Sequence, residues 1–393
     1  MNICTSSKTK ILFITSKMIV GGVEKALIGL LGAIDQSKYE VTLLLTKPGG
    51  SMECLIPKGI DVEYLNVDIA SYDQKLLNKK NYLLWGNNKI KRCAAHFIHN
   101  YCANTRLVVG TWPNSDKEYD VVVAFKADDV LVSCLADRFP KAKKILWIHA
   151  EFEDSGFYLP CYRGIISRFD HVVCVSTMLR QIIEAQFPKL RGSVHVIYNL
   201  LNLREIRQSA TEPVNGYKNE SCIRLVTVGR LSEEKGQRMI PETARMLVDA
   251  GYSIRWYLVG DGATRKIIEE ACKRLKVEEN VILLGTQNNP YPYIKNCDIY
   301  VQPSFTEGYC TTTMEAKILC KPIVTTDAPG MREQFVSGEN GLIVNAMTPE
   351  ALAQGIKTLL DHPEIMEKFR NALKKESYDT TKELQKLYDL IES

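Results

Sequence analysis

Two carboxylates, Glu307 and Glu315, lie close together in the stretch Gln302–Asp327, QPSFTEGYCTTTMEAKILCKPIVTTD. An apolar run leads into this stretch as a buried strand would, and apolar residues recur at helical spacing from about Thr312 onward. A strand that passes through Glu-Gly into a helix exposes backbone N–H groups at the helix start, where phosphate binds readily. The stretch therefore predicts a site for a phosphorylated ligand. Thr312 and Glu315 also fit a capping box, in which the glutamate only closes the helix start, so both interpretations stay open.

A second candidate is the loop Gly229–Gly236, GRLSEEKG, which follows an apolar run and precedes a predicted helix over Met239–Ala250. Arg230 offers a planar fork of donors and Lys235 offers a point charge, and both lie near a glycine turn. A pyrophosphate group requires charge-assisted hydrogen bonds of these two kinds. The alternative is that both cations are solvated charges of a surface loop.

Glycine-containing loops follow three other apolar runs. Gly21-Gly22 precedes a predicted helix over Ala26–Leu31 and would let the backbone approach a ligand at the helix start. The pair is not part of a G-x-G-x-x-G sequence, so the dinucleotide fingerprint is absent, and a plain tight turn is the alternative. Gly260–Gly262 is typical of a tight turn beside a crevice, and the backbone at Gly285-Thr286 could meet the edge of a nucleobase.

Polar residues also follow two strands predicted in the first half. His149 ends the run ILWI, and at the carboxyl end of a parallel strand it would face a ligand crevice. It could donate a hydrogen bond to a sugar hydroxyl or to developing charge, although a structural histidine is the alternative. Ser176 follows a later run and is expected to cap a helix over Met178–Glu184.

These candidates all follow short apolar runs that alternate with helical patterns. Runs that are apolar on both faces indicate parallel strands covered on both sides, hence a doubly wound α/β fold. The first series of predicted strands is Ile11–Thr15, Val41–Leu45, Val121–Phe125, Lys144–Ile148, Val172–Val175 and Val194–Ile197, and the second is Leu225–Val228, Trp256–Val259, Val281–Leu284, Ile299–Val301 and Ile323–Thr325. Two series predict two Rossmann-like domains, with the boundary near Asn199–Ser221, where the periodicity lapses.

Composition agrees with two domains, since 393 residues with 45% hydrophobic content can form two cores. The twelve cysteines include no C-x-x-C pair, which favours reduced thiols in a cytosolic protein over a zinc cluster or a disulfide framework. No apolar stretch approaches the roughly 18 residues of a membrane span. The run Ile11–Val20 is broken by Lys17 and is expected to form a strand rather than a signal peptide.

The segment Lys75–Ile98 interleaves lysines and Arg92 with aromatic and aliphatic residues and contains no acidic residue. This composition suits an element that rests on an anionic membrane face. The alternative is an ordinary helix pair with solvated charges. Nucleic acid is not expected as a partner, because no recognised module is present and the pI is only about 8.3.

Taken together, the motifs resemble those of the family 4 retaining glycosyltransferases (glycosyl transferases group 1), which have the GT-B fold. The resemblance is densest over about residues 222–345. It rests on the order and spacing of Gly21-Gly22, His149, GRLSEEKG at Gly229–Gly236, the Gly260–Gly262 turn and EGYCTTTME at Glu307–Glu315, with the helix and strand through Asp327.

The resemblance implies that residues 206–379 bind a nucleotide-sugar donor and that residues 1–205 bind the acceptor, with a last helix at about 380–393 crossing back to the first domain. Arg230 and Lys235 would neutralise the leaving diphosphate, Glu307 would bind hydroxyls of the transferred sugar, and His149 would contact that sugar from the opposite side. No metal or cofactor is implied. The donor-binding residues implied are Gly22, Gly229, Arg230, Lys235, Gly285, Thr286, Glu307, Gly308, Tyr309, Cys310, Thr311 and Glu315, the last at the ribose.

One departure from the family pattern concerns the sugar site. Where the family commonly has a further glycine followed by Leu-Pro, this chain has Cys310 and then Thr311-Thr312. Hydroxyls at these positions could add donors to the sugar or phosphate, so the identity of the sugar is not carried over. Cys310 is expected to fill space rather than to react.

The expected function is a cytoplasmic, retaining transfer of sugar from a nucleotide sugar to a saccharide or lipid-linked saccharide, as in polysaccharide or glycolipid assembly. UDP is favoured over GDP as the nucleotide. Contact with the inner face of a membrane would run through Lys75–Ile98. Two alternatives stay open, namely a GT-B sugar-nucleotide epimerase, which needs no acceptor, and an inert partner subunit that binds nucleotide without transferring sugar.

Overall fold

The computed structural model describes residues 8–65, 117–127, 129–150, 164–214, 216–217, 221–378 and 380–393. The basic segment Lys75–Ile98 lies outside these residues. The chain divides into two compact units, residues 1–200 with 381–393, and residues 201–380. The division therefore falls within a few residues of the boundary that the lapse in periodicity indicates.

The first unit is built on a parallel sheet of seven described strands. The strands are β1 Thr9–Thr15, β2 Tyr39–Leu45, β3 Asp61–Tyr64, β4 Val121–Ala124, β5 Lys143–Ile148, β6 His171–Cys174 and β7 Val194–Val196. Their order in the sheet is β3-β2-β1-β4-β5-β6-β7. The central strands are buried on both faces, as their unbroken apolar sequences predict.

The helices of the first unit include α1 Gly22–Ala33, α2 Val130–Leu135 and α3 Thr177–Gln186, with short 3-10 turns at Glu53–Leu55, Ala136–Arg138 and Pro188–Leu190. The hydroxyl of Ser176 accepts a hydrogen bond of 3.2 Å from the backbone N–H of Leu179. The predicted N-cap of α3 is therefore confirmed.

The second unit is also a parallel doubly wound structure, with six described strands. They are β8 Ile223–Val228, β9 Ile254–Val259, β10 Val281–Gly285, β11 Ile299–Gln302, β12 Ile323–Thr326 and β13 Leu342–Val344, in the order β10-β9-β8-β11-β12-β13. Successive residues of one strand pack into different clusters: Leu225 lies in one core and Val226 in the other. Helices on both faces cover these two cores, and the predicted α/β class is confirmed.

The helices of this unit are α4 Leu203–Ser209, α5 Ile240–Asp249, α6 Arg265–Leu275, α7 Tyr291–Lys295, α8 Thr311–Ile318, α9 Met331–Gln334, α10 Pro349–Asp361 and α11 Pro363–Lys375, with 3-10 turns at Glu233–Lys235 and Gln237–Met239. Among the described helices of the whole chain, none is long and apolar enough to cross a bilayer.

The last helix, α12 Thr380–Glu392, packs against residues of the first unit. The ring of Tyr388 stacks on that of Tyr39 with 4.8 Å between centroids, and the Tyr388 hydroxyl accepts a hydrogen bond of 2.8 Å from the Asp35 N–H. Lys143 donates to the carbonyl of Ile391 at 2.9 Å. These contacts attach the end of the chain to the sheet that begins it.

Candidate functional site

The site in the second unit lies where the strand order reverses, between β8 and β11. In open parallel sheets the loops leave two such strands in opposite directions and open a crevice at their carboxyl ends. The loop Gly229–Gly236 follows β8, and the loop that carries Glu307 follows β11. The two stretches singled out by their residue types are therefore neighbours in the fold.

Glycines let these loops pack backbone against backbone. Gly236 is left-handed (φ 66°), and a Cβ on it would lie 1.9 Å from the carbonyl oxygen of Pro303. A Cβ on Gly260 would lie 1.9 Å from the carbonyl oxygen of Gly229. The backbone N–H of Phe305 donates to the carbonyl of Glu234 at 2.8 Å. The loops after β8, β9 and β11 are thus held as one rigid rim.

An ion pair joins the two loops across this rim. The ammonium of Lys235 lies 2.6 Å from Oε2 of Glu307, and only 6% of the glutamate side chain is exposed. Burial acts to lower the pKa of Lys235, but the Glu307 carboxylate outweighs it, assisted by Cys310 and Glu234, so that the pKa is raised above its ordinary value. Lys235 therefore keeps its positive charge at the floor of the crevice.

The other oxygen of Glu307 is also engaged. Its Oε1 accepts a hydrogen bond of 2.7 Å from the buried hydroxyl of Ser304. With one oxygen fixed by Ser304 and the other by Lys235, the carboxylate has a single orientation in the crevice.

Arg230 extends from the same rim toward solvent, and 72% of its side chain is exposed. Its guanidinium lies 3.4 Å from the carboxylate of Glu234, which also accepts a hydrogen bond of 2.6 Å from Ser232. An exposed ion pair at this separation contributes little to stability. The Arg230 charge can therefore turn to an incoming anion at little cost.

The start of α8 differs from the capping box that the sequence suggested. The cap position is Cys310, and Thr312 lies inside the helix, where its hydroxyl donates to the Gln302 side chain at 3.3 Å. The capping-box interpretation is therefore wrong. Glu315 is fully buried and lies 3.5 Å from the hydroxyl of Tyr291 on α7. In this conformation Tyr291 covers the carboxylate that was expected at the ribose.

Cys310 is buried beside the ion pair, with its sulfur 3.3 Å from the Thr312 hydroxyl. Burial, with the nearby charge of Glu307, raises the pKa of this thiol to about 11. A thiol that stays protonated at neutral pH is a poor nucleophile. The side chain fills space, in keeping with the expectation from the sequence.

The other residues expected to bind the donor lie in the loops and the helix start at the same edge of the sheet. Gly285 is left-handed (φ 71°) at the end of β10, and its carbonyl accepts a hydrogen bond of 2.9 Å from the N–H of Gly260. Thr286, directly after it, is exposed. Gly308 and Tyr309 are half-buried, and Thr311 is buried in the first turn of α8. All these residues belong to the second unit.

In the first unit, His149 follows β5 and is held by the strand beside it. Its Nε2 lies 2.9 Å from the carbonyl oxygen of Phe125, and burial lowers the pKa of the ring to about 3. The ring is therefore neutral at physiological pH, and its single N–H goes to Phe125. The other nitrogen, Nδ1, is an acceptor that is buried without a hydrogen-bond partner, so the donor expected from the sequence is already used by Phe125.

Gly22 begins α1, and the residues around it include a charged pair that the sequence analysis missed. The carboxylate of Glu24 is buried against Gly21, where a Cβ would lie 2.4 Å from its Oε2. The ammonium of Lys126, beyond β4, lies 3.9 Å from Glu24 Oε1 and 3.3 Å from the Ser16 hydroxyl. Position in the sequence could have indicated this pair. Ser16 and Lys126 directly follow β1 and β4, the two strands between which the strand order of the first sheet reverses.

Among the side chains that the structure describes, no three His, Cys, Asp or Glu residues come together as a metal site would require. Positive charge beside Glu307 is supplied there by Lys235, with Arg230 on the rim.

Comparison with known proteins assigns a class to this architecture. A crystal structure of Anabaena HepE in complex with UDP and glucose is similar to the chain with a TM-score of 0.74, covering 98% of this chain and 100% of that one at 18% identity. At this identity the likeness concerns the fold alone, which is GT-B.

Sequence comparison identifies related proteins. A model of the glycosyl transferases group 1 matches residues 210–377. An uncharacterised glycosyltransferase of Methanocaldococcus jannaschii is 27% identical over 202 residues, 49% of this chain and 50% of that protein. The N-acetylgalactosamine-N,N'-diacetylbacillosaminyl-diphospho-undecaprenol 4-alpha-N-acetylgalactosaminyltransferase of Campylobacter jejuni is 30% identical over 181 residues, 46% of this chain and 47% of that protein. The match thus spans about half the length of these relatives. Residues 210–377 are therefore similar to the glycosyl transferases group 1, the family that the motifs of this segment resemble.

Proposed function

We propose that the chain is a retaining glycosyltransferase that moves a sugar from a nucleotide sugar to a saccharide or lipid-linked saccharide. The observation that carries this proposal is the contact of 2.6 Å between Lys235 and Glu307 at the carboxyl ends of β8 and β11. A cation and a carboxylate held side by side there suit a ligand that has a diphosphate next to a sugar. The match of residues 210–377 to the glycosyl transferases group 1 supports the same function.

Lys235 and Arg230 act on the leaving group in this proposal. When the bond between the anomeric carbon and the phosphate oxygen breaks, its electron pair stays on the diphosphate. A half-buried ammonium and an exposed guanidinium on one rim stabilise that developing negative charge. The raised pKa of Lys235 keeps its charge available throughout the neutral range.

Glu307 acts on the sugar. Its carboxylate accepts hydrogen bonds from sugar hydroxyls near the reacting carbon and stabilises positive charge on the ring as the leaving bond lengthens. The acceptor oxygen then bonds to the anomeric carbon on the face that the diphosphate leaves, and its proton passes to the diphosphate oxygen. Attack on that face retains the anomeric configuration.

His149 of the first unit is proposed to contact the transferred sugar. The nitrogen of His149 that is left to accept is the buried Nδ1, so the contact would be a hydrogen bond from a sugar hydroxyl to Nδ1. Glu315 would receive the ribose hydroxyls once the Tyr291 side chain moves from the carboxylate that it now covers. Residues 1–205 would bind the acceptor and residues 206–379 the donor.

The donor is proposed to be a UDP-sugar and the acceptor a lipid-linked saccharide at the inner face of a membrane. The Anabaena structure with UDP and glucose supports the nucleotide, and the Campylobacter relative, whose name includes a diphospho-undecaprenol saccharide, supports the acceptor. The basic aromatic composition of Lys75–Ile98 supports the membrane contact.

The test begins with a thermal-shift screen of UDP- and GDP-sugars, because a ligand of the native state raises the apparent stability by mass action. The best donor is then incubated with and without a lipid-linked saccharide, and free UDP and glycosylated product are measured. The proposal predicts product and UDP in equal amounts, with release that depends on the acceptor. Acceptor-independent turnover would favour an epimerase, and binding without turnover would favour an inert subunit.

A further inference from the structure

A line of buried polar side chains runs along β11 and ends at Glu307. Tyr300, Gln302 and Ser304 are alternate residues of the chain, so they share one side of the strand and its extension. The Tyr300 hydroxyl donates to Gln302 Oε1 at 2.8 Å, the Gln302 amide nitrogen donates to Ser304 Oγ at 2.8 Å, and the Ser304 hydroxyl donates to Glu307 Oε1 at 2.7 Å. A buried strand would ordinarily carry apolar side chains at such positions.

The hydrogen bonds of this line are directed toward Glu307, and the Tyr300 hydroxyl also lies 3.4 Å from the carbonyl oxygen of Val228. The carboxylate only accepts, so Ser304 must donate to it; the Ser304 oxygen must then accept from the amide nitrogen of Gln302, which leaves Gln302 Oε1 to accept from Tyr300. Burial raises the pKa of Tyr300 well above its ordinary value and keeps its proton in place. Hydrogen bonds aligned in one direction polarise and strengthen one another.

A second branch enters from α8. The Thr312 hydroxyl donates to Gln302 Oε1 at 3.3 Å, and the Cys310 sulfur lies 3.3 Å from that hydroxyl. Gln302 therefore accepts hydrogen bonds from Tyr300 on the strand and Thr312 on the helix, and it donates one hydrogen bond to Ser304.

We infer that Tyr300, Gln302 and Ser304 are positioning residues that hold Glu307 for sugar transfer. They fix Oε1, so that Oε2 stays at 2.6 Å from Lys235 and the carboxylate cannot rotate when a sugar hydroxyl arrives. Pre-orientation of this kind lowers the barrier of the chemical step more than it strengthens binding of the nucleotide. The inference rests on the proposed role of Glu307 and adds three residues that do not touch the substrate.

The test is a double-mutant cycle between Gln302→Leu and Glu307→Gln. Leucine matches glutamine in size but neither accepts from Tyr300 nor donates to Ser304. Gln302→Leu is expected to lower kcat about tenfold or more, with the Kd for UDP within about twofold of the parent value. In the Glu307→Gln background the same change is expected to lower kcat by less than about twofold, because residues that act as a unit are not additive.

Three other variants separate positioning from stability. Ser304→Ala should lower kcat about as much as Gln302→Leu, and Tyr300→Phe should lower kcat less. Both variants can replace Gln302→Leu in the test if that variant does not fold. Thr227→Val is the matched control, because it removes a buried hydroxyl that bonds Val301 and Trp256 on the same sheet without contacting this line. It should lower Tm while kcat stays near the parent value.

The outcomes distinguish this inference from the proposed function. If Gln302→Leu lowers kcat by the same factor in both backgrounds, or if Thr227→Val lowers kcat as much, the line is only structural and the inference is overturned. If Glu307→Gln itself has full activity, the proposed role of Glu307 is wrong and the inference falls with it.

Discussion

His149 illustrates how burial changes the part that a residue can play. A histidine is commonly taken as a group that titrates near neutral pH. Here burial lowers the pKa of His149 to about 3, and the single N–H of the neutral ring donates to the carbonyl oxygen of Phe125. The pH dependence of transfer near pH 6.5 should therefore not arise from His149.

The same shift predicts a pH dependence of stability. Because the ring takes up a proton near pH 6.5 in the unfolded chain but only near pH 3 in the folded one, stability is lost as the pH falls from about 6.5 toward 3. From pH 7 to 5 the contribution is about 2 kcal/mol. His149→Gln, whose amide can still donate to Phe125, should lose correspondingly less free energy of unfolding in urea over that interval. If the parent protein and His149→Gln lost the same free energy of unfolding between pH 7 and 5, His149 would not be the source of the pH dependence.

Arg230 should matter for the nucleotide rather than for the fold, because its side chain is mostly exposed. Arg230→Ala is expected to weaken UDP binding by roughly tenfold or more, the scale of a lost charge-assisted hydrogen bond, with Tm unchanged. Arg238→Ala is the matched control, because that residue is also exposed on the rim but pairs with Glu233 at 2.9 Å. Calorimetric titration with UDP measures the Kd of both variants. Equal weakening of UDP binding would mean that the loss of any positive charge on the rim has this effect, which would contradict a specific role for Arg230.

The loops of the site depend on glycines for a reason that differs from one glycine to another. Gly236 and Gly251 are both left-handed, with φ of 66° and 89°, but only Gly236 has a backbone atom where its Cβ would lie. Gly251→Ala should therefore cost only the left-handed conformation, about 1 kcal/mol. Gly236→Ala should cost more and also lower activity, because the rim must shift away from Pro303. Equal losses of unfolding free energy in urea would show that the contact is not tight.

Hydrophobic periodicity predicted the long strands, but it did not predict the short strands or the start of α8. The long apolar runs gave eleven strands within a residue or two, whereas β3 and β13 were missed. β3 has the sequence DVEY, with little apolar content, and β13 is a three-residue strand, so neither has enough residues for a pattern to appear. The start of α8 was misjudged because Thr312 bonds to Gln302 across the fold, a contact that local sequence does not contain.

The two units share the doubly wound topology, and in each the candidate residues follow strands at or near the reversal of strand order. That rule allowed Arg230, Lys235 and Glu307 to be singled out from the sequence alone. The covering of Glu315 by Tyr291 and the acceptor character of His149 could not be predicted, because both depend on distances between side chains far apart in sequence.

The molecule as a whole should work without a divalent metal, since the proposal assigns charge neutralisation to Lys235 and Arg230. Incubation with excess EDTA should leave the initial rate of transfer unchanged. Loss of activity that magnesium restores would contradict this assignment.

The central claim is that Glu307 acts on the sugar while its neighbours bind the nucleotide. The direct measurement compares kcat and the Kd for UDP in the parent enzyme, Glu307→Gln and the exposed control Glu339→Gln. The account predicts that Glu307→Gln lowers kcat roughly 100-fold or more with UDP binding near the parent value, whereas Glu339→Gln changes neither. Full transfer activity in Glu307→Gln would contradict it.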